Sequence, residues 1–161
     1  MERFSIRVAG IQFSASHFIT LGPDMCEALH GHNYTLAAEI EGPLNDEGLL
    51  VDFLAVQHML REIAAAFDHR VLLPSSNPAI HVIATEGGVK ARFGRQRWLF
   101  PPRDCVLLPL ANTTAELIAQ HVGQGLCERL AAMGARWDRV RVELAEGADF
   151  SAAWQSAGPN A

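Results

Sequence analysis

No stretch of the 161-residue sequence carries five like charges in a row, so neither an acidic nor a basic tail is expected. No apolar run is long enough to span a bilayer, which argues against a membrane-spanning helix. The opening ten residues, MERFSIRVAG, lack an apolar centre; a secretory leader is not expected, and a cytoplasmic location is. Cysteine is scarce. Cys26, Cys105 and Cys127 are an odd number without framework spacing, which excludes a disulfide scaffold and suits a reducing compartment. An excess of positive charge is also missing. Thirteen basic against 18 acidic side chains leave a net charge of -5, with no overall electrostatic footprint for nucleic acid. Internal repeats and low-complexity segments are absent.

What is present suits a compact core. The hydrophobic fraction is 49%, and the length fits one domain over residues 1–161 rather than two. Residues 4–13 alternate, with Phe4, Ile6 and Val8 on one face and Ser5 and Arg7 on the other, which predicts a strand. Residues 33–41 alternate again through Tyr34, Leu36, Ala38 and Ile40, so the two segments form a long hairpin. The turn-rich stretch 42–48 ends it.

Asp52 reads as a helix N-cap. Phe53, Val56, Leu60, Ile63 and Phe67 then recur at helical spacing. A second helix starts at Thr113 or Thr114, with Thr113-x-x-Glu116 fitting a capping box. Leu117, Ile118, Val122, Leu126, Leu130 and Met133 continue its buried side, and Gly134 ends it. Residues 139–146 alternate as a strand, with Val140, Val142 and Leu144 on one face and Arg141 and Glu143 on the other. A short strand follows over 149–154, and the small polar tail from 156 to 161 is expected to fray. Between the helices, residues 75–110 form an insertion. Its β-type pieces at 80–84, 89–93 and 96–100 predict a small sheet extension.

The chemistry concentrates at the hairpin. His30-Gly31-His32 is an i, i+2 pair, so on an extended segment both rings point to one side. The hairpin can bring His17 beside them. Three neutral imidazoles suit zinc and leave a fourth position open, the arrangement of a catalytic rather than a structural site. Cys26 and Glu27 lie just before the pair. A thiol there can act as a base once deprotonated, or it can be a buried inert cysteine. Glu27 taken alone reads as a solvated loop carboxylate. Cys105 and Cys127 fit the inert reading.

These motifs resemble the 6-pyruvoyl-tetrahydropterin synthase / 6-carboxy-tetrahydropterin synthase family. The resemblance rests on Phe13-Ser14-Ala15-Ser16-His17, Cys26-x-x-x-His30-Gly31-His32, Val51-Asp52-Phe53, Phe67-Asp68-His69, Thr113-Thr114-Ala115-Glu116 and Val140-Arg141-Val142-Glu143. It covers residues 4 to about 147, with the insertion only loosely included. It implies an α+β tunnelling fold: a four-stranded antiparallel sheet with two helices on one face, here with a β-rich insertion between the helices. Such protomers form trimers, often stacked into hexamers.

The resemblance also implies roles. His17, His30 and His32 hold Zn2+. Cys26 moves the proton, and Asp68 with His69 forms a relay. Glu143 anchors the pterin through its amino-pyrimidinone edge, and Thr114 and Glu116 line or support that pocket. For Thr114 and Glu116 a plain helix cap remains equally open. The implied activity is a zinc-dependent lyase on 7,8-dihydroneopterin triphosphate, giving 6-carboxy- or 6-pyruvoyl-tetrahydropterin. Its partners are that small molecule and other copies of the chain, with no nucleic acid or membrane. Two departures stand out. Leu144 replaces a threonine common after the anchoring glutamate. Glu27 adds the Glu-x-x-His-Gly-His pattern of relatives associated with folate synthesis, which cleave the side chain to 6-hydroxymethyl-7,8-dihydropterin. That second route is the alternative, with Glu27 as its acid-base group. A non-catalytic tunnelling-fold protein that binds a pterin or purine is a third.

Overall fold

The computed structural model describes residues 2–159, so Asn160 and Ala161 of the expected frayed tail lie outside the described residues. The first two strands, β1 (Phe4–His17) and β2 (His30–Gly42), form the expected hairpin. Their register runs from Phe4 opposite Gly42 to His17 opposite His30 and shifts by one residue between Val8 and Ile11. Gly10 sits in that bulge with φ 80°, a left-handed conformation that glycine adopts without penalty. The bulge changes the phase of the strand. Val8 is buried before it, and Ile11, Phe13, Ala15 and His17 are buried after it. Unbroken alternation from Ile6 and Val8 would have turned His17 to the other face. Phe4, expected inside, is 40% exposed at the strand's start.

Helix α1 (Phe53–Phe67) begins as read: the Asp52 carboxylate accepts from the Leu54 N–H at 3.0 Å. Val56, Leu60, Ile63 and Phe67 are buried, whereas Phe53, in the first turn, is exposed. Two strands not marked by alternation follow, β3 (Arg70–Pro74) and, after the insertion, β7 (Cys105–Leu108). Strand β3 pairs in parallel with β1, and β7 pairs in parallel with β3. After Arg70 both are short apolar runs, which carry no period-2 signal. Between them β4 (His81–Thr85), β5 (Gly88–Phe93) and β6 (Gln96–Phe100) form a separate three-stranded sheet, where the sequence placed the β-rich insertion.

Helix α2 (Ala115–Ala132) is capped by Thr114, whose hydroxyl accepts from the Leu117 N–H at 3.4 Å. The capping box does not form from Thr113, which is fully buried and donates its hydroxyl to the Phe18 carbonyl at 3.2 Å. Met133 is the C-cap and is exposed, and Gly134 at φ 75° ends the helix. Strand β8 (Arg139–Glu146) matches its expected bounds, and β9 (Phe150–Ala157) runs three residues further than expected, taking in Ser156 and Ala157.

The main sheet has the order β7-β3-β1-β2-β8-β9. Its last four strands are the expected antiparallel set, and the two parallel strands extend it past β1. Both helices cover one face: α1 lies over β1, and α2 lies over β8 and β9. The core between them joins Phe13, Tyr34, Leu36, Ile40, Val142 and Leu144 to Val56, Leu60, Ile118, Val122 and Leu126. A second apolar cluster roots the inserted sheet, where Trp98 stacks on Phe18 with ring centroids 4.4 Å apart. No described helix is long and apolar enough to cross a membrane.

Gly123 of α2 marks the closest approach of helix and sheet, because a Cβ there would overlap the Trp154 ring. Alanine is favoured over glycine in a helix by about 1 kcal/mol, but overpacking costs about 1–3 kcal/mol. Gly123→Ala is expected to lower the melting temperature, and a calorimetric melt that rises instead would place Trp154 away from the helix.

Candidate metal centre and substrate pocket

The site lies at one end of the main sheet, on the face covered by the helices. Strand pairing builds it in rows. His17 faces His30 across the hairpin, Ala15 faces His32, and Tyr34 has Phe13 on one side and Glu146 on the other. The ring centroids of His17, His30 and His32 are 4.8, 5.2 and 4.9 Å apart. One nitrogen from each falls within 4.8 Å of the others. The His17 Nδ1–H donates to the Thr113 carbonyl at 2.7 Å, and the His30 Nδ1–H donates to the Ala28 carbonyl at 2.8 Å. These bonds orient the rings and leave their Nε2 lone pairs free, the usual arrangement of a metal-binding histidine. Burial pushes the His17 imidazole pKa down, opposed by the Thr113 bond and the Glu146 charge. A neutral imidazole is the form that ligates a metal. The donor set therefore fits a three-histidine zinc site.

The histidines open into a cavity of about 570 Å³ whose wall includes Glu27, Thr114, Glu116, Glu146 and Phe150. Glu27 Oε2 lies 3.9 Å from His30 Nε2. Glu146 places its two oxygens 4.0 Å from His17 Nε2 and 3.9 Å from His32 Nε2. Under them Tyr34 is fully buried and stacks on Phe13 at 4.9 Å. Burial and the Glu146 charge raise the Tyr34 pKa, so its hydroxyl stays protonated.

Not every residue singled out in the sequence reaches this cavity. Glu143 lies on the opposite, helix-free face of β8, a third exposed, and accepts from Arg141 Nη1 at 2.9 Å. In place of Glu143, the structure brings Glu146 to the histidines. The signal was in the strand parity: residue 146 shares the inward phase of Val140, Val142 and Leu144. Cys26 packs against the second apolar cluster and does not line the cavity. Burial, with the Glu27 charge adding, pushes its thiol pKa up, away from the thiolate. Thr114 and Glu116 line the cavity while Thr114 also caps α2.

Asp68 and His69 form their pair elsewhere. Asp68 Oδ2 lies 3.0 Å from His69 Nδ1, and its Oδ1 accepts from the Ser14 N–H at 2.8 Å. That backbone bond, with the His69 contact, holds the Asp68 carboxyl below the usual carboxylate range. His69 has φ 56°, the one non-glycine left-handed residue among those described, a conformation of the kind kept where function requires it. His69 lines a second open cavity of about 470 Å³ with Ser14, Ser16, His32, Asn33 and Arg70, and His32 lines both cavities.

Comparison with known proteins follows the same lines. A family profile described as 6-pyruvoyl tetrahydropterin synthase matches residues 6–155. The 6-carboxy-5,6,7,8-tetrahydropterin synthase of Rickettsia typhi is 33% identical over 123 residues, covering 74% of this chain and 78% of that one. A Methanocaldococcus jannaschii protein that carries the same name provisionally is 27% identical over 141 residues, 86% of each chain. Among solved structures, Plasmodium vivax 6-pyruvoyl tetrahydropterin synthase superposes with TM-score 0.90 at 22% identity, over 98% of this chain and 99% of that one. A glutamate-to-alanine variant of that protein, described as a catalytic residue mutant, superposes with TM-score 0.90 at 21% identity, over the same 98% and 99%. The Caenorhabditis elegans synthase matches at TM-score 0.62 and 14% identity, over 98% of both chains.

Proposed function

The chain belongs to the 6-pyruvoyl tetrahydropterin synthase family, and from that premise we propose that it is a zinc-dependent lyase acting on the side chain of 7,8-dihydroneopterin triphosphate. The observation that carries this reading is the shared cavity: three histidines with converging nitrogens, two flanking carboxylates, and room for a bicyclic ligand. Bound zinc would supply Lewis acidity toward the side-chain hydroxyls.

The protein's own groups divide the remaining work. Glu146 accepts paired N–H bonds from the amino-pyrimidinone edge of the pterin, the role the motif comparison assigned to Glu143. Thr114 and Glu116 form the wall beside it. Glu27 is the proton-moving group, because its carboxylate is beside His30 while the Cys26 thiol is turned into apolar packing. A carboxylate that takes and returns a proton at the side chain favours cleavage toward 6-hydroxymethyl-7,8-dihydropterin. A glutamate is also described as catalytic in the Plasmodium vivax protein. The Cys26 route to 6-carboxy- or 6-pyruvoyl-tetrahydropterin is the second reading, supported by the names of the bacterial and archaeal relatives. Asp68 and His69 act as a relay only if another protomer delivers them, so the complete site is formed between copies in a trimer or hexamer.

General acid-base groups contribute about 10²–10⁴-fold. Glu27→Gln is therefore expected to lower turnover at least about 100-fold, with Cys26→Ala near the wild type. Chromatography of the pterin products, with an assay for released acetaldehyde, separates the routes. Loss of turnover in Cys26→Ala with Glu27→Gln unaffected would reverse the assignment.

A further inference from the structure

One row of the main sheet runs across to the histidine cavity. Phe13 on β1 faces Tyr34 on β2, Tyr34 faces Glu146 on β8, and Glu146 faces Phe150 on β9. Residues directly opposite each other point to the same side of a sheet, with Cβ atoms about 4.5–5.5 Å apart. All four therefore stand on the helix-covered face. Phe13 and Tyr34 are buried there, and Glu146 keeps only 20% of its side chain exposed. Phe150 differs. It is 74% exposed, the most exposed large apolar residue among those described, and it belongs to neither apolar cluster.

The reason is where helix α2 begins. Along β9, Phe150 has the phase of Ala152 and Trp154, because strand side chains alternate. Trp154 is roofed by α2 at Gly123. Nearer the start of β9 that roof gives way: α2 begins at Ala115, and Thr114, Ala115 and Glu116 form a cavity wall together with Phe150 and Ala152. A face that packs as core at Trp154 thus opens into about 570 Å³ of cavity at Phe150. The ring's position is set by a short turn over 147–149. Gly147 takes φ 74° in it and donates its N–H to the Asn33 carbonyl at 3.2 Å, tying the turn to β2. A phenyl ring without packing, beside a carboxylate in a cavity wall, suits a flat heteroaromatic ligand. The carboxylate accepts from N–H groups on the ligand's edge, and the phenyl covers its face.

We propose that Phe150 is a binding residue of this cavity, its ring stacking on the face of the bicyclic ligand whose N–H edge Glu146 holds. This rests on the functional reading above. The test is calorimetric titration of the zinc-loaded protein with pterin, beside steady-state kinetics on 7,8-dihydroneopterin triphosphate. Phe150→Ala is expected to weaken pterin binding at least about tenfold, the size of a lost stacking contact. KM should rise by a similar factor with kcat little changed, because the ring holds ground state and transition state alike. Phe150→Tyr keeps the ring and stays within about threefold of the wild type. Phe150→Leu, which keeps apolar bulk without a π face, falls between. Zinc content and melting temperature hold in all three, since so exposed a side chain leaves little packing behind. Equal pterin affinity in wild type and Phe150→Ala would overturn the proposal and leave the functional reading standing. So would a loss of affinity matched by a loss of zinc, or a changed sedimentation coefficient with affinity intact, which would assign the ring to a contact between copies. A wild type that binds no pterin defeats the functional reading instead. Guanosine, whose base carries the same amino-pyrimidinone edge, then tests the stacking, and failure to bind it as well overturns both.

Discussion

Replacing His30 with alanine is expected to reduce bound zinc by more than about tenfold and to take activity below detection, while leaving the fold intact. Two imidazoles make a much poorer zinc site than three, because the ion then needs a further ligand from water or a distant side chain. The fold survives because His30 lies at the end of the hairpin, 38% exposed on its side chain. The packing that holds β1 to β2 is made deeper in the sheet, where Phe13 stacks on Tyr34 and Leu36 and Ile40 are fully buried. Metal analysis by mass spectrometry and a circular-dichroism melt are the two measurements. Full zinc occupancy in the variant would reject the three-histidine site. Loss of metal together with the secondary structure would mean that the ion is structural, contrary to the open site argued for here.

A second large effect is expected at Glu146, and its control is Glu143. The two carboxylates are three residues apart on one strand and therefore on opposite faces. Glu146→Gln keeps the shape but exchanges one acceptor for a donor facing the pterin N–H groups. The loss of a charge-assisted pair with a mismatched donor costs about 2–4 kcal/mol of transition-state stabilisation, roughly 30- to 1000-fold in kcat/KM. Glu143→Gln touches only a pair with Arg141 that is about a third exposed, a contact worth about 0–1 kcal/mol, and kcat/KM should stay within about threefold of wild type. Steady-state kinetics on both variants decides the matter. A severe defect in Glu143→Gln with a mild one in Glu146→Gln would return the anchor to Glu143 and place the pterin on the helix-free face. Zinc content should hold in both variants, because the proposed ligands are the three imidazoles and neither carboxylate is among them.

The proposed assembly of copies bears on Asp68 and His69. Asp68 and His69 are held firmly, by the Ser14 N–H and by a left-handed backbone at His69, yet neither lines the cavity of Glu27 and Glu146, and His69 lines a second one that shares His32 with it. A paired imidazole and carboxylate kept in a strained conformation and largely exposed suits delivery to a neighbouring copy's pocket.

Local chemistry was readable in the sequence because it depends on near neighbours. Period-2 alternation marked β2 and β8, the Asp52 carboxylate marked the start of α1, and Gly134 marked the end of α2. The i, i+2 spacing put His30 and His32 on one face whatever the rest of the chain did. Features set by partners far along the chain were not readable. His17 was expected beside His30 and His32, but not the means: a single inserted residue at Gly10 changes the phase of β1, and its ring is held by a carbonyl 96 residues away at Thr113. Strands β3 and β7 are parallel and, apart from Arg70, apolar, so no alternation announces them. The motif match stopped at Glu143, and only the pairing of Tyr34 with Glu146 put the second carboxylate at the metal centre. Whether Cys26 or Glu27 faces the histidines turned on packing against the inserted sheet, an apolar cluster assembled from residues 18 to 105. Sequence by itself determined the main strands and helices and the shared face of His30 and His32, through backbone periodicity and capping. Tertiary structure decided which of them meet, because register, bulges and long-range burial are properties of the whole chain.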